Sequence, residues 1–299
     1  MGEYLIPDKK YCLTIGIPTK NRKDKIKKCL IALQNQRFKH FCIIVVDGSD
    51  GDETQKVCSE FSKSMDLLYI KQLRPGVSYA RSVIASLCQT EALLYVDDDL
   101  YLFNNAILNL LNYYNNFKSR DIRVISGTIK YYGDFTSPIK LDSQGKGFKS
   151  SASEADYFLG ALMLIPSAVY KNVFWARQFT TWGFEEVLFF LMCKRHGVKF
   201  SWYAELLGVH DDETMKTTRA NIGTEANRAY TMLYKHFFSE PSIVGLLKLE
   251  SLGFLRYLVV NLFQYVFSPK CFFSYISSYI YSWFKGHLMF LEDIKCLKK

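Results

Sequence analysis

Short apolar runs alternate with helical patterns over the first hundred residues, and this alternation restricts the fold more than any other feature. Each run has the length and composition of a buried strand. The runs are Leu13–Ile17, Cys42–Val46, Leu67–Ile70 and Leu93–Val96. Alternating strands and helices with short connections predict an α/β fold, with a mostly parallel central sheet flanked by helices. Ligands of such sheets bind at the carboxyl ends of the strands.

Three consecutive carboxylates, Asp97, Asp98 and Asp99, follow the fourth apolar run. Because acids at the end of a buried strand need a compensating positive charge, the run predicts a cation there. A hard divalent metal such as Mg²⁺ or Mn²⁺ takes oxygen ligands, often carboxylates together with substrate phosphates. An acidic turn is the alternative, since Asp is common in turns for conformational reasons. The run alone leaves both interpretations open.

Composition and charge narrow the class of protein. The chain has 299 residues and 49% hydrophobic content, enough to bury a full core. Eight cysteines without a C-x-x-C pair, and an N-terminal run without the features of a secretory signal, predict a cytoplasmic location. The net charge of +9 indicates an anionic partner. The basic residues 20–28 contain no interleaved aromatic residue, so we expect no nucleic acid.

Two regions depart from the alternating pattern. Residues 130–153 are rich in Gly and Ser and predict a long loop, acting as a lid or binding an acceptor. Near Pro241 the composition becomes apolar and aromatic, in runs shorter than the roughly 20 residues of a spanning helix. We therefore expect a main domain over residues 1–235 and a hydrophobic helical appendage over residues 236–299. Peripheral membrane contact through residues 241–290, or packing against protein in the main domain or a second copy, would cover the appendage.

Five motifs, in order, resemble the successive signatures of the family 2 glycosyltransferases with the GT-A fold. They are Ile15–Arg22, Val45–Ser49, Gly76–Arg81, Val96–Asp99 and Trp182–Glu186. The resemblance covers about residues 10–215 and assigns the GT-A fold to residues 1–235. It implies inverting transfer of a sugar from a nucleoside diphosphate donor, a UDP-sugar first, with the help of Mn²⁺ or Mg²⁺.

The resemblance also implies roles for individual residues. The nucleotide-sugar contacts would be Pro18, Thr19, Arg22, Asp47, Arg81, Asp97 and Asp98. Asp99 would be the direct metal ligand, Asp97 a further ligand or ribose contact, and His210 would complete the metal site. Alternation along an extended segment places Asp97 and Asp99 on one side and Asp98 on the other. For His210, a solvent-exposed loop position is the alternative.

Inversion requires a general base for the acceptor hydroxyl. Glu186 stands where the family has Asp and is the first candidate, and Glu185 is the second. Acids in the first turn of a helix also favourably meet its dipole, so a purely structural role is the alternative. Trp182 and Gly183 would lie on the acceptor side.

Missing motifs reduce the rival functions. The chain lacks a G-x-G-x-x-G after the first strand and a P-loop, which argues against a dinucleotide dehydrogenase and a P-loop enzyme. It also lacks the Gln-x-x-Arg-Trp of processive synthases, so we expect single-sugar addition. The transferred group would be a hexose or N-acetylhexosamine. The acceptor would be a lipid-linked or polysaccharide-precursor oligosaccharide, met at the cytoplasmic face of a membrane, with a homo-oligomer as a further expectation. A catalytically silent sugar-nucleotide-binding subunit is the alternative function, and a nucleotidyltransferase is a weaker one.

Overall fold

The computed structural model describes residues 12–117, 120–211, 222–249 and 280–293. Strands and helices alternate through the first half, as the sequence predicts. These elements are β1 (Leu13–Thr19), α1 (Lys23–Gln34), β2 (Phe41–Asp47), α2 (Glu53–Phe61), β3 (Leu67–Lys71), α3 (Val77–Leu87), β4 (Ala92–Val96), β5 (Leu100–Leu102) and α4 (Ala106–Asn115).

The second half of the chain adds strands first and helices afterwards. The elements are β6 (Arg123–Tyr131), β7 (Asp134–Phe135), β8 (Ile139–Leu141), β9 (Gly147–Lys149), β10 (Leu162–Pro166), a 3₁₀ helix (Ser167–Lys171), α5 (Glu185–Arg195), β11 (Lys199–His210), α6 (Ile222–Tyr234) and a π-helix (Lys235–Ser239). Two further helices, α7 and α8, occupy residues 243–249 and 280–293.

One sheet organises the molecule, with the strand order β3-β2-β1-β4-β10-β6-β11-β5 and β7 paired to β6. The first four strands are mutually parallel. β10 runs antiparallel to β4 and β6, while β11 is parallel to β6 and antiparallel to β5. The predicted α/β fold class, with helices around a central sheet, is confirmed, and the antiparallel pairs lie in its second half.

Apolar side chains fill both faces of the sheet. On β4, Leu93 and Tyr95 join the core beneath α3 and α5, whereas Leu94 and Val96 join the core beneath α1 and α4. Because both faces are covered, the central strands are continuously apolar rather than alternating. This explains why the sequence shows unbroken hydrophobic runs there.

Parallel packing brings the polar ends of these strands to one edge. β1 ends at Thr19, whose carbonyl accepts a hydrogen bond from Gly48 after β2. The residue after β4, Asp97, donates its N–H to Ala161, and Asp211 after β11 donates its N–H to Asp99. These backbone links gather the ends of β1, β2, β4 and β11 into a single site.

Residues 130–153 are more ordered than the predicted loop. They contain the end of β6, the short strand β7 and the antiparallel pair β8–β9. Gly133 and Gly145 supply the positive φ angles of 77° and 87° in the connecting turns. Gly and Ser mark tight turns between short strands as readily as a loop, so composition alone did not separate the two. Likewise, β11 extends to His210, which therefore lies on a strand and not in a loop.

The described part of the predicted appendage packs on the main domain. A Cβ at Gly286 of α8 would lie 2.5 Å from the carbonyl oxygen of Ala226 on α6, so the two helices are in close contact. The Phe290 ring lies 5.7 Å from the ring of Tyr230. Most of the two aromatic-rich runs lies in residues 250–279, outside the described residues. Within the described ranges, no helix combines the length and apolar character needed to cross a membrane.

Candidate active site

The three carboxylates after β4 form a turn rather than an extended segment, because the N–H of Leu100 donates to the carbonyl of Asp97 at 3.1 Å. Asp97, Asp99 and His210 each offer a ligand atom, and these atoms lie within 4.8 Å of one another. His210 Nε2 is 3.0 Å from Asp99 Oδ1. Asp98 is not part of this group. Asp97 and Asp99 are thus brought together as the sequence predicts, but by a turn and not by an extended segment.

Cations from α1 compensate the buried acids. Arg22, which precedes the helix, places NH1 3.0 Å from Asp98 Oδ1 and 2.8 Å from Asp99 Oδ2. Lys25 Nζ lies 3.5 Å from Asp99 Oδ2. Thr19 Oγ1 donates to Asp98 Oδ2 at 2.6 Å. The positive charge predicted from the sequence is therefore supplied, in part, by the chain itself.

Burial and charge set the protonation of these carboxyls. Burial raises the pKa of Asp98 to about 6, against the opposing charge of Arg22. Burial also acts on Asp99, but the hydrogen bond and charge of His210 hold the pKa of Asp99 below its usual range. An ionised carboxylate beside an imidazole is a suitable donor set for a divalent ion, so the residues present fit a metal.

The ends of β1 and β2 are joined by a compact pair of turns. The Asn21 side-chain amide donates to Asp50 Oδ2, and Asn21 Oδ1 accepts the Asp50 N–H, each at 3.1 Å. Asn21 has a φ of 55°, and its N–H donates to Ser49 Oγ at 2.7 Å. The strained Asn21 backbone is therefore fixed by side chains from the neighbouring turn.

Asp47 is fully buried within its own turn. Its Oδ1 accepts the Ser49 N–H at 2.8 Å, and its Oδ2 accepts the Tyr69 hydroxyl at 2.8 Å. Pro18 is also buried, paired with Val46 in the β1–β2 register. The contact of Asp47 and Pro18 with a nucleotide base stays a prediction. Tyr69, which anchors Asp47 from β3, was missed because nothing in the sequence distinguishes it from a core aromatic.

The acidic pair at the start of α5 follows an unusual turn. Gly183 and Phe184 both have positive φ angles, 101° and 68°. Asn227 of α6 holds this turn by donating to the carbonyl oxygens of Gly183 at 3.1 Å and Thr181 at 3.2 Å. Positive φ is costly for Phe, so the turn persists because the surrounding contacts determine it. It directs both Glu side chains inward from the helix terminus.

Glu185 and Glu186 have different surroundings. Glu185 is buried, accepts the Gly183 N–H, and pairs with Arg81 NH1 at 3.3 Å. The Oε2 atom of Glu186 is buried and has no hydrogen-bond partner within the described chain. Burial, and then the charge of Glu185, raise the pKa of Glu186 to about 8. Glu185 is thus engaged by Gly183 and Arg81, whereas the Oε2 atom of Glu186 is not engaged by any described residue.

The remaining predicted residues lie nearby. Arg81 is 3% exposed and contacts Asp97 and Glu185, so it lies beneath the site. Trp182, next to Gly183, is 57% exposed. The structure therefore brings the predicted residues to one edge of the sheet, with Pro18, Asp47 and Arg81 buried under it.

Two tyrosines at the end of β6 were missed. The Tyr131 and Tyr132 rings lie 4.6 Å and 5.7 Å from the His210 ring. Tyr132 has a φ of 48°. Burial is the main cause that raises the pKa of Tyr131, and the charges of Asp97, Asp99 and Glu186 add to it. Tyr131 therefore lies among these groups, and the adjacent Tyr-Tyr-Gly at a predicted turn was the available signal.

Comparison with known families places this site in context. The model of the family described as "Glycosyl transferase family 2" matches residues 14–170, just over half of the chain. Glycosyltransferase GlyA of Streptococcus pneumoniae is 33% identical over 108 residues, which are 36% of this chain and 15% of that protein. GalNAc(5)-diNAcBac-PP-undecaprenol beta-1,3-glucosyltransferase of Campylobacter jejuni is 28% identical over 102 residues, 33% of each protein. The matched segments thus span a third or less of these curated relatives.

Solved structures share the architecture at low identity. Residues 1–349 of S. aureus TarS in complex with UDP-GlcNAc give a TM-score of 0.56 at 16% identity, over 77% of this chain and 68% of that one. A mannosyltransferase from Pyrobaculum calidifontis, in complex with GDP-Man and Mn²⁺, gives 0.57 at 12%, over 96% and 89%. At such identities the likeness shows the fold alone. With the family match and the motif positions at one edge of the sheet, the chain belongs to glycosyl transferase family 2 and has the GT-A fold.

Proposed function

We propose that this chain is a metal-dependent, inverting glycosyltransferase. It moves a single hexose or N-acetylhexosamine from a nucleoside diphosphate sugar, a UDP-sugar first, to an acceptor hydroxyl. The observation that carries the proposal is the buried Glu186 Oε2 atom, which has no hydrogen-bond partner among the described residues and lies close enough to the Asp97, Asp99 and His210 group to interact with the charge of Asp97. A raised pKa at one acid and a lowered pKa at another is the arrangement that acid–base chemistry uses.

Asp97, Asp99 and His210 would hold the metal. Two carboxylates with one imidazole favour Mn²⁺ over Mg²⁺, because imidazole suits transition metals better. Bound there, the ion would stabilise the negative charge that develops on the departing diphosphate. The Mn²⁺ of the P. calidifontis neighbour supports this assignment. Tyr131 and Tyr132 pack on His210 and fix the orientation of its ring.

Glu186 is the proposed general base. It accepts the proton of the acceptor hydroxyl as that oxygen attacks the anomeric carbon, a role that contributes roughly 10²- to 10⁴-fold. Glu185 is less suited, because its two oxygens already accept from Gly183 and pair with Arg81. The methylene that Glu186 adds relative to Asp sets its carboxylate further from the helix. We therefore assign Glu186 the chemistry and Glu185 a supporting role.

Residues at and just after the end of β1 would contact the donor. Arg22 is half-exposed and carries positive charge beside Asp98 and Asp99, where a diphosphate would lie. Thr19 orients Asp98 through its hydroxyl. Asp47 orders the turn at Ser49 rather than projecting from it. The UDP-GlcNAc bound to TarS supports UDP as the first nucleotide to test.

The acceptor side is formed by the turn before α5. The exposed indole of Trp182 offers an apolar face on which a sugar ring can stack. A lipid-linked or polysaccharide-precursor acceptor is supported by the C. jejuni relative, whose name contains an undecaprenol diphosphate glycan. We propose that Trp182 and Gly183 line the acceptor path beside Glu186.

The surface of α7 and α8 also suits a lipid-linked acceptor, because it has the character of a membrane-binding surface. These helices expose apolar side chains together with Lys248 and Lys285. The exposed apolar residues are Ile243, Val244, Leu247, Ile280, Tyr281, Phe284, Leu288 and Leu291. Apolar side chains interspersed with lysines suit the surface of an anionic membrane. We propose that this surface contacts the cytoplasmic face of a membrane peripherally. Flotation with anionic and neutral vesicles tests this, and binding to the anionic vesicles is expected. A dimer in light scattering together with no flotation would instead favour a second copy of the chain as the partner.

The activity is tested with a panel of nucleotide sugars, each with and without Mn²⁺. A donor at about 100 times its dissociation constant should stabilise the folded protein by roughly 2.7 kcal/mol, seen as a shift in thermal unfolding. The donor that stabilises only with Mn²⁺ is then assayed for transfer, with nuclear magnetic resonance reporting the anomeric configuration. Metal-dependent binding without transfer to any acceptor would favour the silent subunit. Retention of configuration would contradict the assigned base.

A further inference from the structure

Arg81 lies between the two groups of carboxylates. From α3, its NH1 lies 3.3 Å from Oε1 of Glu185, which begins α5. Its NH2 lies 3.5 Å from Oδ1 of Asp97, which follows β4. The same NH2 donates to the carbonyl of Gly160 at 3.2 Å. One guanidinium group therefore joins the candidate metal site to the helix that carries the proposed base.

The surroundings hold this guanidinium in place. Its centre lies 5.0 Å from the centroid of the Trp175 ring, within the range of a cation–π contact. A Cβ at Gly160 would lie only 2.9 Å from NH2, so the backbone there approaches the group closely. The Tyr95 hydroxyl donates to the Arg81 carbonyl at 2.7 Å. Because Arg81 is also 3% exposed, a nucleotide cannot reach it without moving these groups.

We infer that Arg81 is a positioning residue that couples metal binding at Asp97 to the carboxylates at the start of α5. The inference rests on the proposed function, since it takes Asp97 as a metal ligand. Asp97 and Glu185 share one buried cation, so a change at either acid alters the pairing of the other. When Asp97 ligates a metal, less of its charge remains for Arg81, which then pairs mainly with Glu185.

Mn²⁺ binding provides the test, because Glu185 is no candidate ligand. The affinity for Mn²⁺ alone is measured for the wild type, Glu185→Gln, Arg81→Lys and the double variant. In Glu185→Gln the guanidinium turns wholly to Asp97 and competes with the metal, so we expect the affinity to fall about fivefold. A lysine reaches one acid rather than two, so in the Arg81→Lys background the same change should alter the affinity less than twofold.

Two further variants make the measurement specific. Arg177 contacts the same helix through Ser82 and neither acid, so Arg177→Lys should preserve the fivefold effect. Should Arg81→Lys not fold, Gly160→Ala displaces the guanidinium while keeping its charge, and should likewise reduce the effect below twofold. A merely structural Arg81 would lower stability in both variants without altering the dependence of Mn²⁺ affinity on residue 185.

The outcomes separate this inference from the proposed function. Equal Mn²⁺ affinity in the wild type and Glu185→Gln, a fivefold effect that persists in Arg81→Lys, or no Mn²⁺ binding by the wild type overturns the coupling. The first two results are compatible with metal-dependent sugar transfer by the wild type, which is assayed in parallel, whereas the third also contradicts the proposed metal dependence. The converse result is a wild type that transfers no sugar, while Glu185→Gln still lowers the Mn²⁺ affinity fivefold and does so only in the presence of Arg81. That result supports the role of Arg81 and contradicts the proposed activity.

Discussion

At the ends of β1, β2 and β4, the carboxylates of Asp47, Asp98 and Asp99 each have several partners from the protein. At the start of α5, by contrast, the buried Oε2 atom of Glu186 has none in the described chain. Hydroxyls, cations and an imidazole stabilise the first group. The second retains an acid whose charged form is disfavoured by burial and by Glu185.

Under the proposed function, this difference would separate the acids that bind ligands from the acid that performs the chemistry. Acids that bind a metal and a diphosphate benefit from being ionised and fixed before the ligands arrive. An acid that must accept a proton benefits from a raised pKa, which strengthens it as a base. Local instability at functional residues is a general cost of activity. The protein therefore stabilises one edge of the site and leaves the other under strain.

Removal of the Glu186 carboxylate should have the largest effect on activity. Glu186→Gln keeps the size of the side chain but cannot accept a proton, so we expect transfer to fall about 10³-fold. Donor binding, measured by thermal shift with Mn²⁺, should stay within about twofold, because Glu186 lies outside the donor edge. Glu185→Gln is the matched control and should fall far less. A larger loss in the control would assign the base to Glu185 instead.

At the ends of β1, β2 and β4, Asp99→Asn should weaken the binding of both metal and donor. The amide removes the charge that faces His210, Arg22 and Lys25. We expect loss of the Mn²⁺-dependent thermal shift and a fall in transfer of about 10²-fold. Asp121→Asn, at a surface ion pair with Arg123, is the control and should change neither. A normal Mn²⁺ response in Asp99→Asn would remove this residue from the metal site.

The strain at Glu186 should be visible in stability as a function of pH. Its pKa rises from 4.5 in the unfolded chain to about 8 in the folded protein. Over this interval the folded state retains the proton longer, so raising the pH lowers the free energy of unfolding through this group. Relative to Glu186→Gln, the wild type should lose up to about 4 kcal/mol between pH 5 and pH 8.5. The free energies of unfolding are measured with urea. A difference between the two proteins that is the same at both pH values would contradict this prediction.

Loosening the turn before α5 should reduce the contrast between the two acids. Asn227→Ala removes the donor to the Gly183 and Thr181 carbonyls, so the positive-φ turn loses its support from α6. We expect unfolding to become easier by about 1–3 kcal/mol and the turnover number to fall about tenfold, with donor KM unchanged. Gln178→Ala, whose side chain bonds the surface Asp293, is the control. A raised donor KM would place this turn on the donor side.

Local patterns predicted well the edge of the sheet where the acidic turns lie. The ends of β1, β2 and β4 follow from uninterrupted apolar runs, and each motif there is continuous in sequence. The hairpins within residues 130–153 were not predicted, since their turn residues are also typical of loops. The turn at Asp97 was one of two interpretations that the sequence left open, because three acids in a row fit both a metal site at a strand end and an acidic turn.

Long-range contacts decided the rest of the site. The orientation of Arg81 depends on Gly160 and Glu185, 79 and 104 residues further along the chain. The distinction between Glu185 and Glu186 depends on that same guanidinium. No periodicity in one sequence reports such pairings, so the sequence ranked Glu186 ahead of Glu185 only by its place in the family motif.

Trp182 should give the smallest effect and define the outer boundary of the acceptor side. Its indole is 57% exposed, so Trp182→Ala removes little packing and should change the free energy of unfolding by less than about 0.5 kcal/mol. If a sugar stacks there, the acceptor KM should rise about three- to tenfold while donor binding stays constant. Trp182→Phe should restore most of the affinity, because an aromatic face is retained. Phe174→Ala, at another exposed aromatic, serves as the control. An unchanged acceptor KM in Trp182→Ala would move the acceptor path away from this turn, towards the tyrosines beside His210.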